Sequence, residues 1–424
     1  MFTRFRPTTA TAVAAVLGCA LMATATPVMA KEKPKKEEAA QGPKVSPSKA
    51  FMPAVKKMGD ATKAKDAAAL QAALAEGQAT ATSNDDKYLM GFYTLQLGIL
   101  NKDEATQSQG LETALDSGLV PAADLGNYNF YSGRFAYVKK DYVKAATRFE
   151  AAKAAGSTDS ALPLLLMDSY LNSGRVDQGI ALAKATIDAE RAAGRVPSEE
   201  LYVRPAKALQ AAKRTDELLD ILTLRVRDYP QPAVWRNTLY ILLQQAGPDK
   251  ELNLDILRLM RASGAMTDRG EYLEYAAMAT EAGYPGEVVS LVQQGIANKV
   301  FTDRDERFSQ ILSSQTDRAK ADRPGLLADA SKPVTNPKAA RATADALVGI
   351  GEIAKAIPLY EAIAASDPIA QYRLGVAQAL SGQNDAALAT LAKVQGNRTR
   401  LAKLWTVYVQ TKTAPAAVAA APAT

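Results

Sequence analysis

The chain has 424 residues with one cysteine and no histidine, and 51 Lys and Arg against 45 Asp and Glu give a formal net charge of +6. The lack of histidine excludes HExxH zinc sites, Ser-His-Asp and Cys-His catalysis, and an imidazole pH switch. One cysteine cannot form an internal disulfide or a multi-cysteine zinc site. We therefore expect no catalytic residues of these kinds, no metal and no cofactor.

Residues 1–30 have the pattern of an export signal. Arg4 and Arg6 precede an apolar run at about 10–22, and Val28-Met29-Ala30 suits signal-peptidase cleavage. This pattern predicts cleavage after Ala30 and a periplasmic protein. The run is shorter than the roughly 20 residues that span a membrane, and no later stretch is long and charge-free enough, so no transmembrane span is expected.

The single cysteine, Cys19, lies in the order Val16-Leu17-Gly18-Cys19, which is similar to the lipobox of a bacterial lipoprotein. Leu17 and the later cleavage site favour simple cleavage over lipidation. The alternative is a lipoprotein anchored through Cys19. If the signal is cleaved after Ala30, the mature chain has no cysteine and its stability depends on packing alone.

Two segments have compositions typical of disorder. Residues 31–49 carry six Lys and three Glu with almost no large apolar side chain, and residues 413–424 are rich in Ala and Pro. We expect a flexible charged linker and a disordered tail. The linker is a spacer, or alternatively a basic contact to anionic lipid or cell wall. The signal and linker carry most of the positive charge and leave about +1 for residues 50–424, so no nucleic-acid partner is expected.

The region between these segments has the pattern of helices. Apolar residues recur at spacings of three and four, Gly and polar residues interrupt them, and strand-like alternation is missing. The clearest helix-turn-helix unit begins at Gly126, and the next begins 34 residues later at Ser160. Small residues allow two helices to cross closely and large ones fill the seams between units. The unit is marked by Gly133, Tyr142, Ala145, Phe149 and Ala152.

Further units begin at Glu199, Pro232 and Arg269. In the unit that begins at Arg269, Pro285 falls at the first turn of the second helix. Two more surround Gly351 and Gly382, and residues 398–410 predict a helix that covers the last repeat. The predicted regions are degenerate helical repeats at 50–125, a main array at 126–300, an irregular helical connector at 301–338, and C-terminal repeats with a capping helix at 339–412. For the connector we favour an irregular pair of helices over a bend between two sub-arrays.

These markers resemble those of the tetratricopeptide-repeat superfamily over residues 85–300 and 339–412. The resemblance implies an all-α fold, a right-handed α-solenoid of helix-turn-helix repeats. The order of export signal, charged linker, repeats and Ala/Pro tail is similar to that of exported repeat proteins of alphaproteobacteria. No activity follows from this resemblance, because such repeats present surfaces and rarely carry chemistry.

The segment Gly349 to Ala354 fits the GxGxxA form of a dinucleotide fingerprint. A predicted helix precedes it, whereas the fingerprint follows a strand. We interpret Gly351 as the turn glycine of a repeat.

In tetratricopeptide repeats, positions 2, 5, 9, 12 and 13 of the first helix line a concave groove. The resemblance therefore implies a partner-binding groove of mixed aromatic and polar character. We expect the aromatic residues to fill seams between repeats, and the alternative is that they anchor a peptide. The candidate contacts are Asn127, Phe130, Arg134, Tyr137, Asp168, Asn172 and Lys207.

The sequence as a whole predicts a periplasmic, non-enzymatic scaffold that binds a protein or peptide in a cell-envelope process. Carboxylate-only catalysis needs no histidine, so one alternative is an accessory peptidoglycan- or polysaccharide-binding factor with weak lyase activity. Another alternative is a structural protein that self-assembles through its repeats.

Overall fold

A computed structural model describes residues 45–413 of the chain, and all regular structure in this range is helical. The predicted signal peptide, residues 31–44 of the linker and residues 414–424 of the tail lie outside the described residues. The chain divides into two compact units, Met1–Ala189 and Glu190–Thr424. The division falls within the region 126–300 that the sequence groups as one main array.

Unit 1 consists of four helix pairs that follow one another along the chain. The two helices of each pair are joined by a short turn and contact each other, so each pair is antiparallel. The helices are α1 (Met52–Ala64), α2 (Ala67–Gln78), α3 (Asn84–Leu100), α4 (Glu104–Asp116), α5 (Ala122–Val138), α6 (Tyr142–Ala154), α7 (Leu162–Asn172) and α8 (Val176–Ala192). The first helices of the pairs are α1, α3, α5 and α7.

The second pair is held by contact between helix backbones. A Cβ added to Gly91 of α3 would lie 2.3 Å from the backbone nitrogen of Ala114, and one added to Gly110 of α4 would lie 2.3 Å from that of Leu95. Because backbone atoms cannot rotate away as a side chain can, only glycine fits at these two crossings.

The last residues of the predicted linker are held by the N-terminus of α3. The backbone N–H of Ser48 donates to Asp86 Oδ1 at 2.8 Å, and those of Thr82 and Ser83 donate to Oδ2 at 2.9 and 3.1 Å. Burial raises the pKa of Asp86, but these N–H groups outweigh it and lower the pKa to about 2. Residues 45–49 are therefore an ordered part of unit 1.

Unit 2 contains further helix pairs, one long single helix and a C-terminal helix. The elements after α8 are α9 (Glu200–Ala211), α10 (Thr215–Asp228), α11 (Pro232–Ala246), α12 (Lys250–Ala262), α13 (Arg269–Glu281), α14 (Pro285–Ala297), α15 (Glu306–Asp329), α16 (Pro337–Gly349), α17 (Ile353–Ile363), α18 (Pro368–Leu380), α19 (Asn384–Leu391), a 3₁₀ turn (Gly396–Arg398) and α20 (Thr399–Thr413).

The expectation of an irregular helix pair in the connector is wrong. Residues 301–338 contain one helix of 24 residues, α15, with Pro324 inside it. Proline has no backbone N–H, so one carbonyl of the preceding turn lacks its helical hydrogen-bond donor. Pro324 and Gly325 are solvent-exposed, so water can donate to that carbonyl instead. The proline is therefore accommodated without ending the helix.

The C-terminal helix of unit 2 also packs against an early helix of the same unit. Besides contacting α19 and α18, α20 contacts α10. Arg400 donates to Asp220 Oδ1 at 2.9 Å and to Asp216 Oδ1 at 3.1 Å, across 180 and 184 positions of sequence. Trp405 and Trp235 belong to one buried cluster. Unit 2 therefore closes on itself.

The predicted fold class is confirmed: both units are built from tetratricopeptide-like helix-turn-helix repeats. A Cβ on Gly133 would lie 2.7 Å from the Phe149 ring, and one on Gly375 would lie 2.8 Å from the Leu391 side chain. The same close approach thus recurs in both units, between residues that are 16 positions apart. Gly351 has φ of +82° at its turn, as expected for a turn glycine.

Candidate functional site

The candidate partner surface of unit 1 is formed by its first helices, which run in the same direction. Ser48, just before α1, meets Asp86 at the start of α3. Tyr88 of α3 interacts with Tyr128 of α5, and the Tyr137 hydroxyl of α5 donates to Asp168 of α7. Side chains at matching positions of neighbouring repeats therefore lie side by side on one face.

Helix α5 supplies three predicted contacts. Phe130 is buried against Phe149, with ring centroids 5.9 Å apart, so it fills a seam between helices. Arg134 is partly exposed, and its guanidinium lies 5.8 Å from the centroid of Tyr131 and 6.0 Å from that of Phe130. Asn127 is partly exposed. The guanidinium of Arg134 thus makes cation–π contacts with these two aromatic rings.

The next three predicted contacts connect α5 to α7. The Tyr137 hydroxyl donates to Asp168 Oδ2, and Asp168 is 9% exposed. Asn172 is exposed, and its side-chain amide donates to the Asp168 carbonyl at 2.8 Å. Tyr137 and Asp168 therefore fix the spacing of the two helices, while Asn172 remains accessible beside them.

The seventh predicted contact, Lys207, is exposed on α9. Helix α9 belongs to unit 2. The other six candidate contacts belong to unit 1.

Two residues at the α5–α6 turn, Tyr142 and Val143, were not among the predicted contacts. Tyr142 packs edge to face on Tyr137 with ring centroids 5.5 Å apart, and Val143 is 66% exposed. The sequence pattern indicates Tyr142 only as a repeat marker, and it does not predict an exposed valine at the start of a second helix. Val138, at the end of α5, is also 66% exposed.

Unit 2 holds a buried charged cluster centred on Asp255 of α12. Three arginines surround this carboxylate: Arg258 at 3.0 Å, Arg373 at 3.2 Å and Arg398 at 2.9 Å. Burial alone would raise the pKa of Asp255, but the three guanidinium groups hold it below its ordinary value. Arg373 also contacts Asp345 at 2.6 Å. The cluster joins α12 to residues that are 118 and 143 positions away.

The other carboxylates of this cluster are saturated in the same way. Glu287 receives two hydrogen bonds of 2.8 Å from Arg258 and one of 2.6 Å from the Tyr275 hydroxyl. Burial raises the pKa of Glu287, but Arg258 and Tyr275 outweigh it and lower the pKa. A general acid would need a raised pKa and an open face. The cluster is therefore suited to holding helices together, and its cavity of about 20 Å³ has room for about one water.

The described residues add two general findings. Within residues 45–413, no three or more Asp, Glu or Cys side chains are grouped so that they could hold a metal ion. No helix in the same range is long and apolar enough to cross a membrane.

The comparisons with known proteins give only distant matches. No protein-family model matches the chain, and no curated protein sequence matches it. Among solved structures, Naa15/Naa10 bound to HypK-THB is similar at 12% identity and a TM-score of 0.35, covering 87% of this chain and 56% of that one. The pentatricopeptide repeat protein PPR10 from maize is similar at 17% identity and a TM-score of 0.28, covering 82% and 58%.

A third structure, the APC/C hetero-tetramer Cut9-Hcn1, is similar at 10% identity and a TM-score of 0.21, covering 88% of this chain and 92% of that one. The chain thus spans just over half the length of the first two structures. At these TM-scores the matches carry no conclusion about function. The class of protein is defined instead by the helix pairs themselves, which are those of an all-α helical-repeat protein.

Proposed function

We propose that the protein is a non-enzymatic scaffold that binds a peptide segment of a partner protein on the first-helix face of unit 1. The observation that carries this proposal is the pairing of α5 and α7. Their spacing is fixed by the bond between Tyr137 and Asp168, and they present Arg134 and Asn172 to solvent. A rigid surface of this kind loses little entropy on binding.

The chemistry of this face suits a peptide. The Arg134 guanidinium lies 6.0 and 5.8 Å from the ring centroids of Phe130 and Tyr131, and its donors can pair with carboxylate or carbonyl groups of a peptide. Asn172 offers an amide that can pair with a peptide backbone. Arginine and aromatic residues are also the side chains that contribute most binding energy at protein interfaces.

We further propose that the chain is exported and acts in the cell envelope. The arginines, apolar run and small residues of positions 1–30 support export. The mass of the protein purified from its native host tests this. A mature N-terminus at Lys31 in the periplasmic fraction is expected, whereas a lipid on Cys19 would make it a lipoprotein and an intact Met1 in the cytoplasm would contradict export.

Site-specific crosslinking tests the binding proposal. A photoreactive amino acid replaces Arg134 or Asn172 in the full chain, and exposed Asp317 on α15 is the control position. The proposal expects one protein to crosslink at positions 134 and 172 and not at 317. Recovery of glycan fragments alone, or of the chain itself, would contradict it and favour a wall-binding or self-assembling protein.

A substitution then tests whether the crosslinked face contributes affinity. Arg134→Glu reverses the charge of a partly exposed side chain that makes no buried ion pair in the described structure. Binding of the crosslinked partner is expected to weaken by roughly tenfold or more while helix content stays constant. Unchanged affinity would remove Arg134 from the interface.

A further inference from the structure

The turns between the two helices of the first three repeats contain an unusual residue. In unit 1, Lys65, Lys102 and Lys140 occupy these turns with φ of +54°, +55° and +61°. Other repeats have glycine in the same place, with Gly174 and Gly283 at φ of +82° and +80°. Every non-glycine residue with positive φ between residues 45 and 413 is a lysine.

Lysine is a poor choice for the turn itself. A side chain with positive φ brings its Cβ close to the following carbonyl, and glycine avoids this cost. The favourable interaction of a cation with a helix C-terminus is available throughout the last turn, at residues with ordinary φ. The turn geometry therefore does not explain why three successive repeats of unit 1 carry lysine where glycine fits better.

The three lysines lie along one edge of unit 1. The first helices run in the same direction, because Ser48 meets Asp86 and Tyr88 meets Tyr128, so their C-terminal ends fall on the same side. The charge of Lys139 in the third turn acts on Asp103 in the second, as expected for neighbouring turns. We call residues 63–66, 101–103 and 138–143 the turn edge.

The acidic residues of the turn edge do not neutralise these lysines by direct contact. Asp66 accepts the backbone N–H of Ala69, Asp103 accepts those of Ala105 and Thr106, and Asp141 accepts that of Lys144. Each carboxylate thus caps the helix that follows it. Among the described contacts, no ion pair within 4 Å is made by Lys65, Lys102 or Lys140, and all three are exposed.

The third turn adds an apolar component. Val138 and Val143 flank Lys139 and Lys140, and at 66% exposure they are the most exposed large apolar side chains of the described residues. A soluble polyanion would attract the lysines but would gain nothing from the valines. A bilayer with anionic headgroups interacts with both, because it combines negative charge with an apolar interior just below the surface.

We propose that the turn edge of unit 1 docks on an anionic phospholipid membrane, with the lysines at the headgroups and Val138 and Val143 inserted between them. The docking leaves the first-helix face of unit 1 for a protein partner, and it does not depend on the function proposed above. The two are separable, because the turn edge and Arg134 share no residue.

The decisive variant is Lys65→Gly/Lys102→Gly/Lys140→Gly in the full chain. It removes three charges and places glycine where the backbone favours it, so the melting temperature should be equal or higher. Binding to vesicles of phosphatidylglycerol and phosphatidylcholine is measured by co-sedimentation, with pure phosphatidylcholine as the neutral surface. The partition coefficient is expected to fall by about tenfold or more. Lys213→Gly makes the same backbone change in unit 2 and should have no effect.

The valines are tested by a matched pair of double variants. Val138→Ser/Val143→Ser should lower the partition coefficient by roughly tenfold, whereas Val196→Ser/Val203→Ser, at exposed valines of unit 2, should leave it unchanged. Undiminished vesicle binding by the triple glycine variant would overturn the proposal. A second variant replaces the lysines of residues 31–44 by glutamine. If only this variant loses vesicle binding, the proposal is also wrong and the membrane contact belongs to residues 31–44.

A further control separates this proposal from the scaffold function. Arg134→Glu should leave vesicle binding unchanged, and the triple glycine variant should leave crosslinking to the protein partner unchanged. If the triple variant instead loses the protein partner and keeps vesicle binding, the turn edge is a protein contact and the membrane proposal is wrong.

Discussion

Units 1 and 2 are built from the same helix pairs but are connected differently. In unit 1 the described side-chain hydrogen bonds join residues at most 39 positions apart, so each repeat is held by its neighbours. In unit 2 Asp255 binds arginines 118 and 143 positions away, and Arg400 binds Asp216 across 184. The repeat sequence therefore sets the local helix pair, whereas long-range charged contacts and the shared apolar cluster of Trp235 and Trp405 join the early and late helices of unit 2.

The difference matters for how each unit can work. A stack held by neighbour contacts is stabilised repeat by repeat and leaves a continuous helix face open for a partner. A closed unit with buried charge spanning its ends is expected to unfold as one cooperative body. This difference supports the proposal that a partner binds unit 1. The following predictions test the contrast, beginning with the largest effect.

Asp255→Ala should have the largest effect. It leaves Arg258, Arg373 and Arg398 without their shared carboxylate, and breaking a buried ion pair from one side costs about 3–5 kcal/mol. The chain's only two tryptophans, Trp235 and Trp405, are buried in unit 2. Tryptophan fluorescence during urea unfolding therefore reports the loss in unit 2.

The matched control is Asp317→Ala on α15, which removes an exposed carboxylate from the same unit. Its effect should stay within about 0.5 kcal/mol. Equal destabilisation by the two variants would show that the buried cluster does not hold unit 2 together.

Gly91→Ala should have the second largest effect and act on unit 1. The added methyl would lie 2.3 Å from the backbone nitrogen of Ala114, so α3 and α4 must separate. We expect a loss of about 2–3 kcal/mol, measured by circular dichroism, with the tryptophan transition of unit 2 unchanged. Gly325→Ala has no atom within 4 Å of its new methyl and should stabilise α15 by about 0.5–1 kcal/mol.

Asp86 should make the stability of unit 1 depend on acid pH. Its pKa of about 2 in the folded chain lies below its ordinary value of 3.8. A depressed folded pKa stabilises the fold above about pH 4, and this stability is lost as the pH falls toward 2. The shift corresponds to about 2 kcal/mol.

The measurement is the urea unfolding of Asp86→Asn and the unaltered chain between pH 5 and pH 2, followed by circular dichroism. The two should differ at pH 5 and converge near pH 2. Asp85→Asn, which neutralises an exposed neighbouring carboxylate that accepts the Ser46 N–H, is the control. A constant difference between Asp86→Asn and the unaltered chain at all pH values would contradict the assignment.

The smallest effect is expected for an exposed ion pair. Lys57 and Glu76 in unit 1 lie 2.6 Å apart, but their side chains are 59% and 54% exposed. A double-mutant cycle with Lys57→Ala and Glu76→Ala should give a coupling of about 0.5 kcal/mol or less. A coupling as large as that of the Asp255 cluster would remove the distinction between local surface pairs and buried long-range ones.

The sequence predicted the local part of the fold, because the relevant contacts lie within one repeat. Gly133 and Phe149 meet across one turn, Pro285 begins α14, and Gly351 forms its turn. It did not predict the pairing of Asp255 with Arg373, because no spacing marks two charged residues 118 positions apart. That pairing depends on how the stacked repeats close.

The candidate site was predicted only in part for a similar reason. Repeat spacing predicts that both Phe130 and Arg134 lie on the first-helix face. It does not distinguish a buried seam between helices from an open surface, and the structure shows that Phe130 is buried whereas Arg134 is partly exposed. Lys207 occupies an equivalent repeat position but lies in the other unit. Whether the accessible residues bind a partner stays a prediction.

Hydrogen exchange measured by mass spectrometry on the full chain and on Asp255→Ala tests the contrast between the units most directly. We expect peptides of α10–α12 and of α18–α20 to lose protection together in the variant, while peptides of unit 1 are unchanged. Faster exchange confined to α12, with α18–α20 still protected, would contradict the claim that the buried cluster joins the two ends of unit 2.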